Sequence, residues 1–133
     1  MIVNNIFTQL KELLKDAYCP YSKYRVASLV DTDKGLFKGV NVECGSYGLT
    51  ICSEQSAIVS AISNGAKEFN RLYLLTSSTD VLGTPCGKCR QIISEHFKDE
   101  QEIVIFDLKG NYKIFKVNEL LPFGWKPSTL NNI

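Results

Sequence analysis

No stretch of this 133-residue chain approaches the roughly 20 consecutive apolar residues that a membrane-spanning helix requires. Charge of one sign is also missing. Fifteen Lys and Arg face fourteen Asp and Glu, a net charge of +1, with no basic tail or stripe. That balance argues against a nucleic-acid or anionic-membrane partner. The N-terminus has no apolar h-region or small-residue cleavage site, because Asn4, Asn5, Lys11, Glu12, Lys15 and Asp16 interrupt its apolar residues. A cytoplasmic location is therefore expected. Repeats, low-complexity tracts and linkers are absent, so residues 1–133 are expected to form a single domain. Five cysteines, an odd number, do not complete a disulfide framework. In a reducing compartment a clustered subset reads instead as metal-binding or catalytic.

What is present is ordinary globular material, 44% apolar and 22% charged, enough to bury a core without covalent staples. Ile2, Ile6, Leu10, Leu13, Leu14 and Ala17 recur at spacings of three and four, the mark of an amphipathic helix. Pro20 ends it. Tyr24–Val30 and Leu36–Val42 read as a hairpin around the turn cluster Asp31–Gly35. From Ile51 onward the apolar residues lie almost all round, as in a helix buried on several sides, which Asn64-Gly65 stops. Arg71–Thr76 is a strand covered on both faces. Pro85–Phe97 is a further helix, with Pro85 in its first turn. Ile103–Asp107 and Tyr112–Val117 are the last strands; Asn118 caps a short helix, and 127–133 reads as a loose tail. The order α-β-β-α-β-α-β-β-α favours an α/β fold, a three-layer α/β/α sandwich with a mixed five-stranded sheet.

Cys52-Ser53-Glu54, answered some thirty residues later by Pro85-Cys86-Gly87-Lys88-Cys89, is where the chemistry gathers. Cys86 and Cys89 sit at i and i+3, on one face of a helical turn. If the helix that starts at Cys52 aims its N-terminus at the same spot, three thiolates meet in the positive field of two helix ends. Zinc bound by three thiolates keeps a fourth, open position for water, as catalytic sites do. Bound zinc lowers the pKa of such a water to about 7, and Glu54 is placed to take its proton and pass it on. Residues i and i+2 do not share a helix face, so Glu54 reaches that position only if the helix presents its tip. A competing structural zinc drawing on Cys19 or Cys44 leaves Glu54 without a purpose. Taken together, the spacings match the three-cysteine form of the zinc nucleobase-deaminase signature.

Over nearly its whole length the chain resembles the short-chain cytidine deaminases of the homotetrameric class. The resemblance rests on Tyr18-Cys-Pro-Tyr-Ser22, Gly39-Val-Asn-Val-Glu43, Tyr47 to Glu54, Pro85-Cys-Gly-Lys-Cys-Arg-Gln91 and Glu119-Leu-Leu-Pro122. It implies one Zn2+ per subunit, held by Cys52, Cys86 and Cys89, with Glu54 as proton shuttle. Water is then added at C4 of cytosine and ammonia leaves, turning cytidine, and with it 2'-deoxycytidine, into the uracil nucleoside for pyrimidine salvage. The Ser53 amide is expected near the pyrimidine carbonyl and the Thr84 carbonyl near the departing amine. Asn41 and Glu43 are expected on the ribose hydroxyls, and Tyr24 against the pyrimidine. Tyr47 and Trp125 are expected at subunit contacts, with Trp125 reaching a neighbour's pocket, so that a homotetramer shares its sites.

Two positions depart from the pattern. Gln55 stands where the family often has Arg, and Cys44 where Asn is common. A zinc with three thiolates carries a formal charge near −1, so the expectation is that Arg90 and the helix ends offset it, with Gln55 donating a neutral hydrogen bond. Three other readings stand beside the leading one. A deaminase of another aminopyrimidine nucleoside, such as an antibiotic, differs only in substrate. A nucleic-acid editor needs a basic channel with stacking aromatics, which the balanced charge does not supply. A non-enzymatic zinc-stabilised interaction domain would not need Glu54.

Overall fold

The computed structural model describes residues 2–79 and 82–132. Asp80 and Val81, in the expected 77–84 loop, and Ile133, at the end of the expected tail, lie outside the described residues. The elements run α1 (Ile2–Leu14), β1 (Val26–Thr32), β2 (Gly35–Val40), α2 (Ser53–Ser63), β3 (Phe69–Thr76), α3 (Gly87–His96), β4 (Glu102–Phe106), β5 (Tyr112–Lys116) and α4 (Val117–Leu120). Short 3-10 turns lie at Tyr47–Leu49 and Pro127–Asn132. Among the described residues, no helix is long and apolar enough to cross a membrane.

The five strands form one sheet in the order β2-β1-β3-β4-β5. Only β3 and β4 pair in parallel, across the crossover that carries α3. The expected mixed five-stranded sheet in three layers is therefore present. Alternation along each strand splits the core in two. Ala27, Leu29, Tyr73, Leu75, Val104 and Phe106 face α1, meeting its Ile6, Leu10, Leu13 and Leu14. Val30, Leu72, Leu74, Ile103 and Ile105 face the other way, onto Ala57, Ile58, Ala61 and Ile93 of α2 and α3 and Val117 and Leu120 of α4. Burying a side chain such as Ile58 contributes about 1.5–3 kcal/mol.

One position in β2 sets how closely α2 lies on the sheet. A Cβ at Gly39 would fall 2.3 Å from the Ala57 amide nitrogen and 2.4 Å from the Ser53 carbonyl oxygen. With glycine there, the first turn of α2 lies directly on the strand. The far end of α2 closes as expected, at Asn64 with Gly65 at φ 90.

Several boundaries differ from expectation. The third helix begins at Gly87, not Pro85, because Cys86 stays extended (φ −67, ψ 168) as its N-cap. β1 begins at Val26, leaving Tyr24 ahead of the strand, and β2 ends at Val40. The chain remains extended past β2, since Val42 bridges to both Tyr18 and Ile51. The last helix starts at Val117 rather than after Asn118, its end closed by the Lys116 amide donating to Glu119 Oε1 at 2.8 Å. The expected loose tail is instead a 3-10 turn over Pro127–Asn132. Lys126 anchors its start by donating to the Ser94 carbonyl at 3.0 Å and to Asp99 Oδ1 at 2.8 Å.

Candidate active site

Cys52 and Cys86 are the N-cap residues of α2 and α3, and neither sulfur caps its own helix. Their carbonyls accept the first helical bonds, from Ser56 at 3.0 Å and Arg90 at 2.9 Å. The sulfurs are thereby left free to face one another. Cys89, one turn into α3, completes the set, and the three Sγ atoms lie within 4.8 Å of one another. Cys52 and Cys86 Sγ are 3.8 Å apart. Tetrahedral zinc with Zn–S bonds of about 2.3 Å requires sulfurs about 3.8 Å apart. The Cys52–Cys86 pair has that spacing, and the trio could hold that ion. Cys19 is buried and Cys44 half-buried, and neither joins the cluster.

The thiols already differ in acidity. Cys52 is pushed down to about 6, first by the hydrogen bond from the Cys89 thiol, then by the nearby Lys88 charge, against the effect of burial. Cys89, the donor in that bond and buried, is pushed up. Lys88 Nζ donates to the Thr50 carbonyl at 3.2 Å, which keeps its charge beside Cys52.

Glu54 is the second residue of α2, while Cys52 lies just outside the helix. The Cys-x-Glu spacing works because the helix tip, not its side, meets the cavity. Glu54 is buried, and burial raises the pKa of its carboxyl. The Ser53 hydroxyl donates to its Oε1 at 2.9 Å. A cavity of about 220 Å³ opens beside them, lined by Tyr24, Asn41, Glu43, Cys52, Ser53, Glu54, Thr84 and Cys86 among others. The expected substrate residues Tyr24, Asn41, Glu43, Ser53 and Thr84 are thus gathered with Cys52 and Cys86 of the cysteine cluster.

Two of them are held by the loop they help to form. Asn41 Oδ1 accepts from the Val26 amide at 2.9 Å, and its Nδ2 donates to the Tyr24 carbonyl at 2.8 Å. Asn41 therefore ties down the stretch that carries Tyr24. Glu43 Oε1 accepts from the Tyr21 and Ser22 amides at 3.0 and 3.1 Å, and Oε2 from the Ser22 hydroxyl. Those bonds, the Ser22 hydroxyl first, lower the Glu43 pKa.

Tyr47 and Trp125 do not line this cavity in the single chain. Tyr47 packs edge-on against Tyr21, ring centroids 5.8 Å apart, in an adjoining recess with Ser22, Glu43 and Thr50. Trp125 is half exposed, its carbonyl accepting from Gln91 Nε2 at 3.1 Å. Arg90 Nε donates to the Pro85 carbonyl at 2.7 Å, and its guanidinium also reaches the Leu120 carbonyl at 2.7 Å and Thr84 Oγ1 at 3.1 Å. Those partners are loop atoms and the last carbonyl of α4, not cysteine sulfurs. Gln55 Oε1 is buried and accepts no hydrogen bond from the described residues. Sequence reasoning missed Lys88, which is inconspicuous inside a Cys-x-x-Cys pair. It also missed Ser28, whose hydroxyl meets Ser53 Oγ at 2.6 Å; the only signal was one polar residue in the strand run Ala27–Val30.

Three clustered thiols at two helix tips, with a buried carboxylate over the same cavity, define a zinc-dependent deaminase. Residues 3–105 match the family model described as the cytidine and deoxycytidylate deaminase zinc-binding region. The chain is 33% identical to a cytidine deaminase of Mycoplasma genitalium over 123 residues, covering 92% of this chain and 95% of that one. Against a cytidine deaminase of Sporosarcina psychrophila the identity is also 33%, over 98% and 96% of the two chains. The crystal structure of cytidine deaminase from Burkholderia pseudomallei superposes with a TM-score of 0.85 at 32% identity, covering 92% of this chain and 98% of that one. The chain belongs to the cytidine deaminase family.

Proposed function

We propose that the chain, as a single domain over 1–133, hydrolyses cytidine and 2'-deoxycytidine to the uracil nucleosides and ammonia, in the cytoplasm, for pyrimidine salvage. The observation that carries this reading is one cavity lined by Cys52, Cys86, Glu54 and the pair Asn41 and Glu43, with the Cys89 sulfur clustered behind the other two. Zinc held by Cys52, Cys86 and Cys89 would supply an acidified water, with a pKa near 7. Glu54 takes a proton from the attacking water and returns it to the amine leaving C4, and burial, which raises its pKa, makes it a stronger proton acceptor. Glu43 and the spare amide proton of Asn41 orient the ribose. The Ser53 amide meets the pyrimidine carbonyl, the Thr84 carbonyl the departing amine, and Tyr24 the ring face.

We further infer a homotetramer that shares its sites. Val59 and Ile62 leave an apolar stripe exposed on α2, and Gln55, one turn before Val59, has a buried oxygen without a donor. Phe123 is held at φ 56 with its ring fully exposed, two residues from Trp125. A second copy seated there would cover these groups and bring Trp125, with Tyr47, towards a neighbouring cavity.

An ultraviolet assay with cytidine, deoxycytidine and cytosine, with and without a zinc chelator, tests the activity. Both nucleosides are expected to lose their cytosine absorbance only without chelator, and no change on either overturns the reading. Glu54→Gln is expected to retain zinc while losing on the order of 10²–10⁴-fold in kcat.

A further inference from the structure

Behind Glu54 lies a hydroxyl pair with no part in the reaction as described so far. Ser28 and Ser53 are both fully buried, and their Oγ atoms are 2.6 Å apart. Ser53 Oγ lies 2.9 Å from Glu54 Oε1. Donor accounting fixes the direction. In the state that takes up a proton from water Glu54 is a carboxylate, which only accepts, and a hydroxyl has one proton to give. Ser53 spends its proton on Glu54, so Ser28 must be the donor to Ser53. The chain of bonds runs from Ser28 to Ser53 to Glu54.

The strand register explains the reach. Ser28 is paired with Gly39 on one side and Leu74 on the other, on the sheet face that receives α2. The missing side chain at Gly39 lets the first turn of α2 settle where Ser53 meets Ser28. Ser53 and Glu54 line the cavity, whereas Ser28 does not, so Ser28 has no access to a substrate.

We propose that Ser28 is a positioning residue: through Ser53 it anchors Glu54 Oε1 and leaves Oε2 as the oxygen that carries the proton during deamination. Oε2 then accepts the proton from the attacking water and gives it to the amine that departs as ammonia. With the carboxylate held from behind, its rotation about the last side-chain bond is restricted before substrate arrives. The inference rests on Glu54 being the proton carrier.

The test uses the zinc-loaded chain and its Ser28→Ala, Ser53→Ala, double and Glu54→Gln variants, with cytidine as substrate. Ser53→Ala is expected to lower kcat about tenfold and Ser28→Ala about threefold, with KM changed less than about twofold and zinc content unchanged. In the double variant kcat should equal that of Ser53→Ala, because Ser28 has nothing left to act through. Melting of the metal-free chain gives a second readout. Ser53→Ala strands a buried donor on Ser28, so the double variant should melt higher than Ser53→Ala alone. An unchanged kcat in Ser28→Ala, losses that multiply in the double variant, or losses that follow zinc content would each overturn the proposal. Should Ser28→Ala fail to fold, Ser28→Cys, with a weaker donor, is expected to lose about twofold in kcat, again only when Ser53 is present. A fully active Glu54→Gln removes the proton-carrier reading itself. An inactive Glu54→Gln beside an unaffected Ser28→Ala removes the relay alone.

Discussion

Gly39 and Ser53 stand so close that a methyl group on the glycine would lie 2.4 Å from the serine carbonyl oxygen. The obstructing atoms are backbone, so no side chain can swing aside. Gly39→Ala is expected to push α2 off the sheet and to destabilise the chain by roughly 1–3 kcal/mol, read as a shift of the urea midpoint. Because α2 carries both Cys52 and Glu54, zinc retention should fall with it. An unshifted midpoint would mean that the helix has slack the packing does not reveal.

Lys88 contributes the positive charge beside Cys52, after the Cys89 hydrogen bond. Lys88→Gln removes that charge, so the Cys52 thiol should titrate above its present value of about 6. The pH dependence of thiol alkylation in the metal-free chain measures this directly. A profile that stays in place would assign the lowered value to the sulfur cluster alone.

Arg90 separates two kinds of role. Its guanidinium bridges the Pro85 and Leu120 carbonyls and Thr84 Oγ1. A lysine would keep the charge and lose the planar fork. Arg90→Lys is expected to lower the thermal midpoint and raise KM, since Thr84 lines the cavity. Full activity in that variant would show that charge near the zinc is what matters.

Glu43 offers a pH prediction whose sign follows from its bonds. Its pKa is lowered in the fold, first by the Ser22 hydroxyl. A depressed carboxylate contributes its bonds fully above the ordinary value of 4.5, and they are lost as pH falls through the lower folded value. Ser22→Ala should therefore move the Glu43 titration, followed by carbon NMR, upward towards 4.5. The loop 19–23 should loosen at a higher pH than in the parent chain. A titration unchanged by the substitution would assign the shift to the Tyr21 and Ser22 amides.

Much of this was legible in the residues. Apolar runs, turn residues and, for α1, the three-four spacing located all five strands and the main helices, because these patterns follow directly from backbone geometry and burial. The cysteine cluster was legible because Cys-x-Glu and Pro-Cys-x-x-Cys at this separation are specific in combination. The start of α3 was misplaced because Pro85 suits a first turn, yet an N-cap cysteine holds the backbone extended just before it. The tail was misread because its anchor is Lys126, whose partners Ser94 and Asp99 are distant in sequence. Arg90 illustrates the same limit at the site. Its place after Cys89 suggested a charge for the zinc, but not its hydrogen bonds to the Pro85 and Leu120 carbonyls and Thr84, which lie on a loop and on α4.

The two helix caps that supply the sulfurs have a further consequence. Cys52 and Cys86 are 34 positions apart, and only the paired strand β3 between them returns the second cap to the first. A denatured chain offers the Cys86–Cys89 pair at short range but must close a long loop to add Cys52. Uptake of the ion is thus coupled to completion of the tertiary structure. Cobalt absorbance, a colour signal from thiolate coordination, then becomes a gauge of refolding. It should rise with the cooperative folding transition and not ahead of it.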